Sequence, residues 1–115
     1  MKSPEMQARV ADFVERHGLE IPVAFRALDL VTEVGEFAKE VLKSTDYGRA
    51  SLQNNAALQD ELADAAFALI CIANSLGIDL DEAISGALQK YESRLTARGD
   101  AGSGCNPGSG SNPGQ

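Results

Sequence analysis

Residues 61–73 read E-L-A-D-A-A-F-A-L-I-C-I-A, and the fold turns on them. From Ala65 to Ala73 every residue is apolar. The run is far too short to span a bilayer, which takes about 20 apolar residues in a helix. It shows no alternation of period two, so it does not read as a half-buried strand. A helix that is apolar all round must be covered on all sides. Just before the run, Glu61 and Asp64 sit three residues apart and therefore share one helical face. A deeply packed helix thus carries two carboxylates at the mouth of its buried segment.

Working outward, the chain predicts four helices and a tail. The third helix starts between Ser51 and Ala56 and runs to Leu76, with Gly77 as its left-handed stop. Asp79 caps a fourth helix, and Glu82 completes a capping box; this helix runs to about Thr96. Upstream, Pro22 opens a second helix whose Phe25, Leu28, Val31, Val34, Phe37, Ala38, Val41 and Leu42 recur at helical spacing. The stretch S-T-D-Y-G-R, 44–49, breaks it. Ser3, Pro4 and Glu5 start a first helix that ends near His17, with Gly18 as its stop. Period-two alternation is absent throughout. The architecture expected is an all-α, four-helix bundle-like domain over residues 1–98. Residues 99–115 contain S-G-C-N-P-G and S-G-S-N-P-G in tandem and have little to bury, so they predict a disordered tail. Four helices of this size do not easily cover one of their own completely. The alternative is a central helix wrapped by the other three; self-association into a homo-oligomer is favoured.

The second helix carries Asp29, Glu33, Glu36 and Glu40 at offsets 0, +4, +7 and +11, along one face. Alone, that stripe reads as a solvated acidic face. Two consecutive helices joined by a short connection run antiparallel, which lets Glu33 and Glu36 face Glu61 and Asp64. Four carboxylates converging without a cation would repel one another, and a hard divalent cation with oxygen ligands removes the repulsion. His17 is the single histidine and lies outside both acidic pairs, which argues against a ferritin-type di-iron site and against zinc. An all-carboxylate site favours Mg²⁺, with Mn²⁺ as a substitute.

E-V-G-E at 33–36 followed by E-L-A-D at 61–64 resembles the E-x-x-E … E-x-x-D signature of MazG-like nucleotide pyrophosphohydrolases. The likeness extends through L-V-T-E-V-G-E-F-A-K-E-V-L-K-S-T-D-Y-G at 30–48, A-N-S-L-G-I-D-L-D-E-A at 73–83 and K-Y-E-S-R at 90–94. It covers about Leu28 to Leu95. The resemblance implies an all-α homodimer or homotetramer, Mg²⁺ held by Glu33, Glu36, Glu61 and Asp64, and hydrolysis of a nucleoside triphosphate to monophosphate and pyrophosphate. Many relatives place a further Glu immediately before the first motif Glu, where this chain has Thr32. Glu36, Glu40 or a metal-bound hydroxide then serves as general base. Lys39, Lys90 and Arg94 are candidate phosphate contacts, Lys90 and Arg94 largely through the resemblance, and Asn74 and Tyr91 are candidate contacts to base or ribose. Phe37 and Phe67 are expected in the core. The competing expectation is a helical regulatory or scaffold module that keeps nucleotide or metal binding but little turnover.

Composition limits the partners. The chain has 115 residues, and its formal net charge of -7 points away from nucleic acid, whose phosphates select basic surfaces. Bound cations would still allow a phosphorylated ligand. Cys71 and Cys105 form neither a disulfide framework nor a zinc cluster. With no signal-like N-terminus and no membrane span, a cytoplasmic setting is expected.

Overall fold

The computed structural model describes residues 5–99 and residue 102. It contains α1 (Glu5–Arg16), α2 (Val23–Ser44), α3 (Ala56–Leu76) and α4 (Leu80–Arg98), with no strand among the described residues. The cap expected at Ser3 and nearly all of the expected tail lie outside them. The chain divides into two compact units, one through Leu80 and one from Asp81.

Helix ends follow from local chemistry. Gly18 adopts φ 62° after α1, and Gly77 adopts φ 69° after α3, a left-handed conformation that residues with side chains rarely adopt. After each glycine the chain turns back, with Leu19 N–H donating to Val14 O and Ile78 N–H to Ala73 O. Asn55 caps α3, its side chain accepting from Leu58 N–H at 2.9 Å. Pro22 is the cap residue of α2 rather than its first helical residue, with extended ψ of 144°. Beyond α2, Asp46 and Tyr47 both take positive φ, and Thr45 closes the turn by accepting from Gly48 N–H.

In the first unit, α2 and α3 run antiparallel. Their cross-links reverse in order along the two helices: Asn55 donates to Ser44 near one end, Glu33 meets Glu61 and Asp64 midway, and Arg26 lies over Phe67 further on. Among the described residues the buried apolar ones, Leu58, Ala65, Ala68, Ile70, Cys71 and Ala73, all belong to α3. Most are small, which lets neighbouring helices approach closely. The all-apolar run is nonetheless uncovered on one side: Ala66 and Leu69 are exposed, as are Leu62 and Leu76 beyond its ends. Phe37 and Phe67 are half-buried rather than enclosed in a core.

The second helix is turned opposite to the usual surface helix. Arg26 is buried, and Asp29, Glu33, Phe37 and Glu40 are half-buried, while Phe25, Leu28, Val31 and Val34 are exposed, Val31 at 71%. The polar stripe lies along the seam and the apolar stripe points outward.

The first helix joins α3 through a polar clasp. The Gln7 side-chain amide donates to Asn74 Oδ1 at 3.0 Å and to Ile78 O at 2.8 Å. Its oxygen accepts from Leu80 N–H at 2.8 Å, and the Asn74 amide donates to Gln7 O at 3.1 Å. Phe13 meets Phe67 edge to face, with ring centroids 6.4 Å apart. His17, near the end of α1, packs its ring 4.5 Å from that of Phe13. The fourth helix, taken by itself, exposes Ile84, Leu88, Tyr91 and Leu95 along one stripe. No single helix among the described residues is long and apolar enough to cross a membrane.

Candidate metal centre

Antiparallel pairing sets the middle of α2 against the first half of α3. There, one carboxylate oxygen from each of Glu33, Glu61 and Asp64 lies within 4.8 Å of the other two. Glu33 and Glu61 are half-buried and Asp64 is exposed. None of the three carboxylates makes a hydrogen bond or ion pair with another described residue. The carboxyl of Glu33 is held above its ordinary value. Partial burial is the first cause, followed by the negative charges of Asp29, Asp64, Glu61 and Glu36. Glu33 therefore pays for its position twice, through lost hydration and through like charge.

These residues fit a divalent cation. The donor set is oxygen alone, the choice of hard cations. Oxygens on a shared ion at about 2.0–2.6 Å stand up to about 4–5 Å apart, the spacing seen here.

The remaining sequence candidates are placed as follows. Glu36, one turn beyond Glu33, is exposed, and its oxygens lie outside the converging group. Glu40 has both oxygens engaged, one by Lys43 at 3.7 Å and one by the Ser44 hydroxyl at 3.3 Å. Lys39 is exposed on α2. The hydroxyl of Thr32 donates to Leu28 O at 3.2 Å, within its own helix. Asn74 has its amide committed to Gln7 and lines a cavity of about 320 Å³ with Arg26 and Cys71. Lys90 and Tyr91 neighbour each other on α4, the ammonium 5.8 Å from the ring centroid, and Arg94 lies one turn on.

Sequence reasoning missed Arg26 and Gln7. Arg26 is 8% exposed, donates to Leu19 O at 2.6 Å and stands 5.6 Å over the Phe67 ring. Its one sequence signal is its position, three before Asp29 and seven before Glu33 on the same helical stripe. Gln7 is 4% exposed but carries no sequence signal beyond its place on an amphipathic helix. Cys71 is a free, buried thiol, raised above its ordinary value by burial first and by the Asp29 charge, with Arg26 opposing. It stays protonated and has the character of a packing residue.

Residues 26–98 match the MazG nucleotide pyrophosphohydrolase domain. The uncharacterised protein YpjD of Bacillus subtilis (strain 168) is 33% identical over 95 residues, covering 78% of this chain and 83% of that protein. Among solved structures, the Bacillus-conserved MazG protein, a nucleotide pyrophosphohydrolase, superposes with a TM-score of 0.65 at 29% identity, covering 79% of this chain and 93% of that one. The crystal structure of Bacillus subtilis YpjD, a candidate pyrophosphatase, gives a TM-score of 0.65 at 28% identity, covering 79% and 98%.

Proposed function

The chain belongs to the MazG nucleotide pyrophosphohydrolase family, hydrolases of phosphoric anhydrides, and from that premise we propose that it cleaves a nucleoside triphosphate to monophosphate and pyrophosphate with Mg²⁺ or Mn²⁺ on the α2–α3 carboxylates. The observation that carries this reading is the convergence of Glu33, Glu61 and Asp64, unpaired among the described residues, on a scaffold with the family's fold. A cation bound there supplies Lewis-acid charge for phosphate oxygens and lowers the pKa of water.

The chain's own residues divide the rest of the work. Glu33, Glu61 and Asp64 would hold the cation, and Glu36, one turn along, would be a further ligand or the acceptor of the water proton. The water oxygen bonds to the α-phosphorus as the bond to the α–β bridging oxygen breaks, and pyrophosphate leaves. Glu40 is the less available base, since Lys43 and Ser44 engage its oxygens. Lys39, Asn74 and Tyr91 remain candidate substrate contacts, and Lys90 and Arg94 on α4 are candidates for the phosphates largely by resemblance. The exposed apolar faces of α2 and α3 support assembly as a homodimer or homotetramer, because surfaces of that kind mark association.

Hydrolysis of a nucleotide panel in ¹⁸O-labelled water tests the reaction. Label is expected in the monophosphate and not in pyrophosphate, and only when Mg²⁺ or Mn²⁺ is present. Release of orthophosphate with a nucleoside diphosphate would contradict cleavage at the α-phosphorus.

A further inference from the structure

Arg26 is 8% exposed, yet among the described residues it makes no ion pair. One of its N–H groups donates to Leu19 O, and the Phe67 ring centroid lies 5.6 Å from the guanidinium. Its remaining N–H groups have no acceptor among the described residues. Buried charges are ordinarily paired, because an ion taken out of water keeps only the partners that the protein supplies. A carbonyl dipole and a ring face offset part of that loss, but neither is a counter-charge.

The Arg26 side chain borders a cavity of about 320 Å³, formed with α1, the turn before α2 and the second half of α3. This volume is near the lower end of the range of about 300–1,000 Å³ common for small-molecule sites. None of its lining residues belongs to the carboxylate cluster. Val14, Ile21 and the protonated Cys71 give it an apolar wall. Glu15 and Glu20 also line it; both are exposed, and neither side chain has a partner among the described residues. The cavity thus combines a buried cation, an apolar wall and two free carboxylates open to solvent.

This combination selects the ligand. A simple anion would answer Arg26 but would also meet two carboxylates, and a polyphosphate would meet them with more charge still. A simple cation would meet Arg26. A neutral molecule carrying both charges and an apolar remainder satisfies all three features. Its carboxylate accepts from the unspent guanidinium fork, its ammonium donates to the carboxylates, and its alkyl part covers the apolar wall.

We propose that this cavity binds a free amino acid with an apolar side chain, its carboxylate on Arg26 and its ammonium at Glu15 and Glu20. The site is separate from the cation centre, since Arg26 precedes Glu33 by seven residues, a rise of about 10 Å along α2. Binding therefore needs neither metal nor nucleotide, and it stands or falls independently of the hydrolase reading.

Calorimetry and the shift in melting temperature, on the full chain without divalent metal and with leucine as probe, test the proposal. Leucine should bind. Leucinamide lacks the carboxylate and N-acetyl-leucine lacks the ammonium; each should bind at least about tenfold more weakly, the scale of one hydrogen bond to a charged group. Arg26→Met keeps length and apolar packing, and should lower leucine affinity at least about tenfold. Should that variant fail to fold, the exposed pair Glu15→Gln and Glu20→Gln gives a second reading: leucine should weaken in the double variant while N-acetyl-leucine is unchanged. No binding of leucine at millimolar concentration would overturn the proposal. Equal affinity for leucine and leucinamide, or unchanged leucine affinity in Arg26→Met or in the double variant, would do the same. Inorganic phosphate binding tighter than leucine, and lost in Arg26→Met, would also overturn it by marking a plain anion site.

Discussion

Two polar clusters sit at opposite ends of α3, and they are built on opposite terms. At the C-terminal end, Gln7, Asn74, Ile78 and Leu80 exchange four hydrogen bonds of 2.8–3.1 Å. The buried amide groups of Gln7 and Asn74 thereby find donors and acceptors in the chain itself. Toward the N-terminal end, Glu33, Glu61 and Asp64 bring like charges together with no partner among the described residues. A buried polar group left without partners costs free energy, whereas a satisfied network fixes one arrangement. The clasp therefore serves the fold, and the carboxylates are held in a costly arrangement that a cation would relieve. Partial satisfaction, rather than polarity or burial, separates site from scaffold in this molecule.

Substitutions on the two sides should behave oppositely, and the largest effect is expected at the carboxylates. Asp64→Asn should lower metal-dependent pyrophosphate release by about two orders of magnitude or more, the scale of losing cation-borne charge stabilisation. Its melting temperature without metal should not fall. Activity near wild type at saturating Mg²⁺ would break the contrast from the functional side.

At the clasp the order reverses. Gln7→Ala strands the Asn74 amide, Ile78 O and Leu80 N–H together, and should cost about 2–4 kcal/mol in denaturant unfolding. Divalent-cation affinity of the folded fraction should hardly change. A loss under about 0.5 kcal/mol would show that water replaces Gln7 without penalty, and the clasp would no longer count as a structural device.

The smallest effect concerns pH. Because folding raises the Glu33 carboxyl above its ordinary value, the metal-free folded protein keeps a proton that the unfolded chain releases. The stability this adds is fully present below the ordinary glutamate value and is lost as pH rises through the raised one. Bound Mg²⁺ has the opposite dependence, since protonation competes with it. The rise in melting temperature on adding Mg²⁺ should thus shrink as pH falls through the raised value. Glu33→Gln should slightly raise the metal-free melting temperature at neutral pH. A Mg²⁺-induced shift independent of pH would place the ion elsewhere.

The two clusters were also unequally legible in the sequence. Glu33, Glu61 and Asp64 stand in two neighbouring helices whose connection implies antiparallel pairing, so their approach follows from periodicity, whereas Glu36, expected beside them, lies outside the converging group. Gly18 and Gly77 marked helix ends because a left-handed residue is needed there. Gln7 was illegible, since its four bonds all join residues at least 67 positions apart. Arg26 was missed for a related reason. Periodicity reveals that α2 has a polar and an apolar stripe but not which one meets α3, and the usual expectation puts the apolar stripe inward. Here the carboxylates and Arg26 take the inner position, leaving Phe25, Leu28, Val31 and Val34 outside. The apolar run of α3 suggested complete cover, yet Leu69 is 45% exposed, because α1 and α2 cover only part of its circumference.

The central claim is that α2 and α3 together make one cation site. Mn²⁺ binding followed by electron paramagnetic resonance, on wild type, Glu61→Gln and Gln7→Ala side by side, addresses it most directly. The account predicts tight Mn²⁺ binding by wild type and by folded Gln7→Ala, and a loss of at least about tenfold in affinity for Glu61→Gln with its helical content intact. Wild-type affinity in Glu61→Gln, or no Mn²⁺ binding by the wild-type chain, would contradict it.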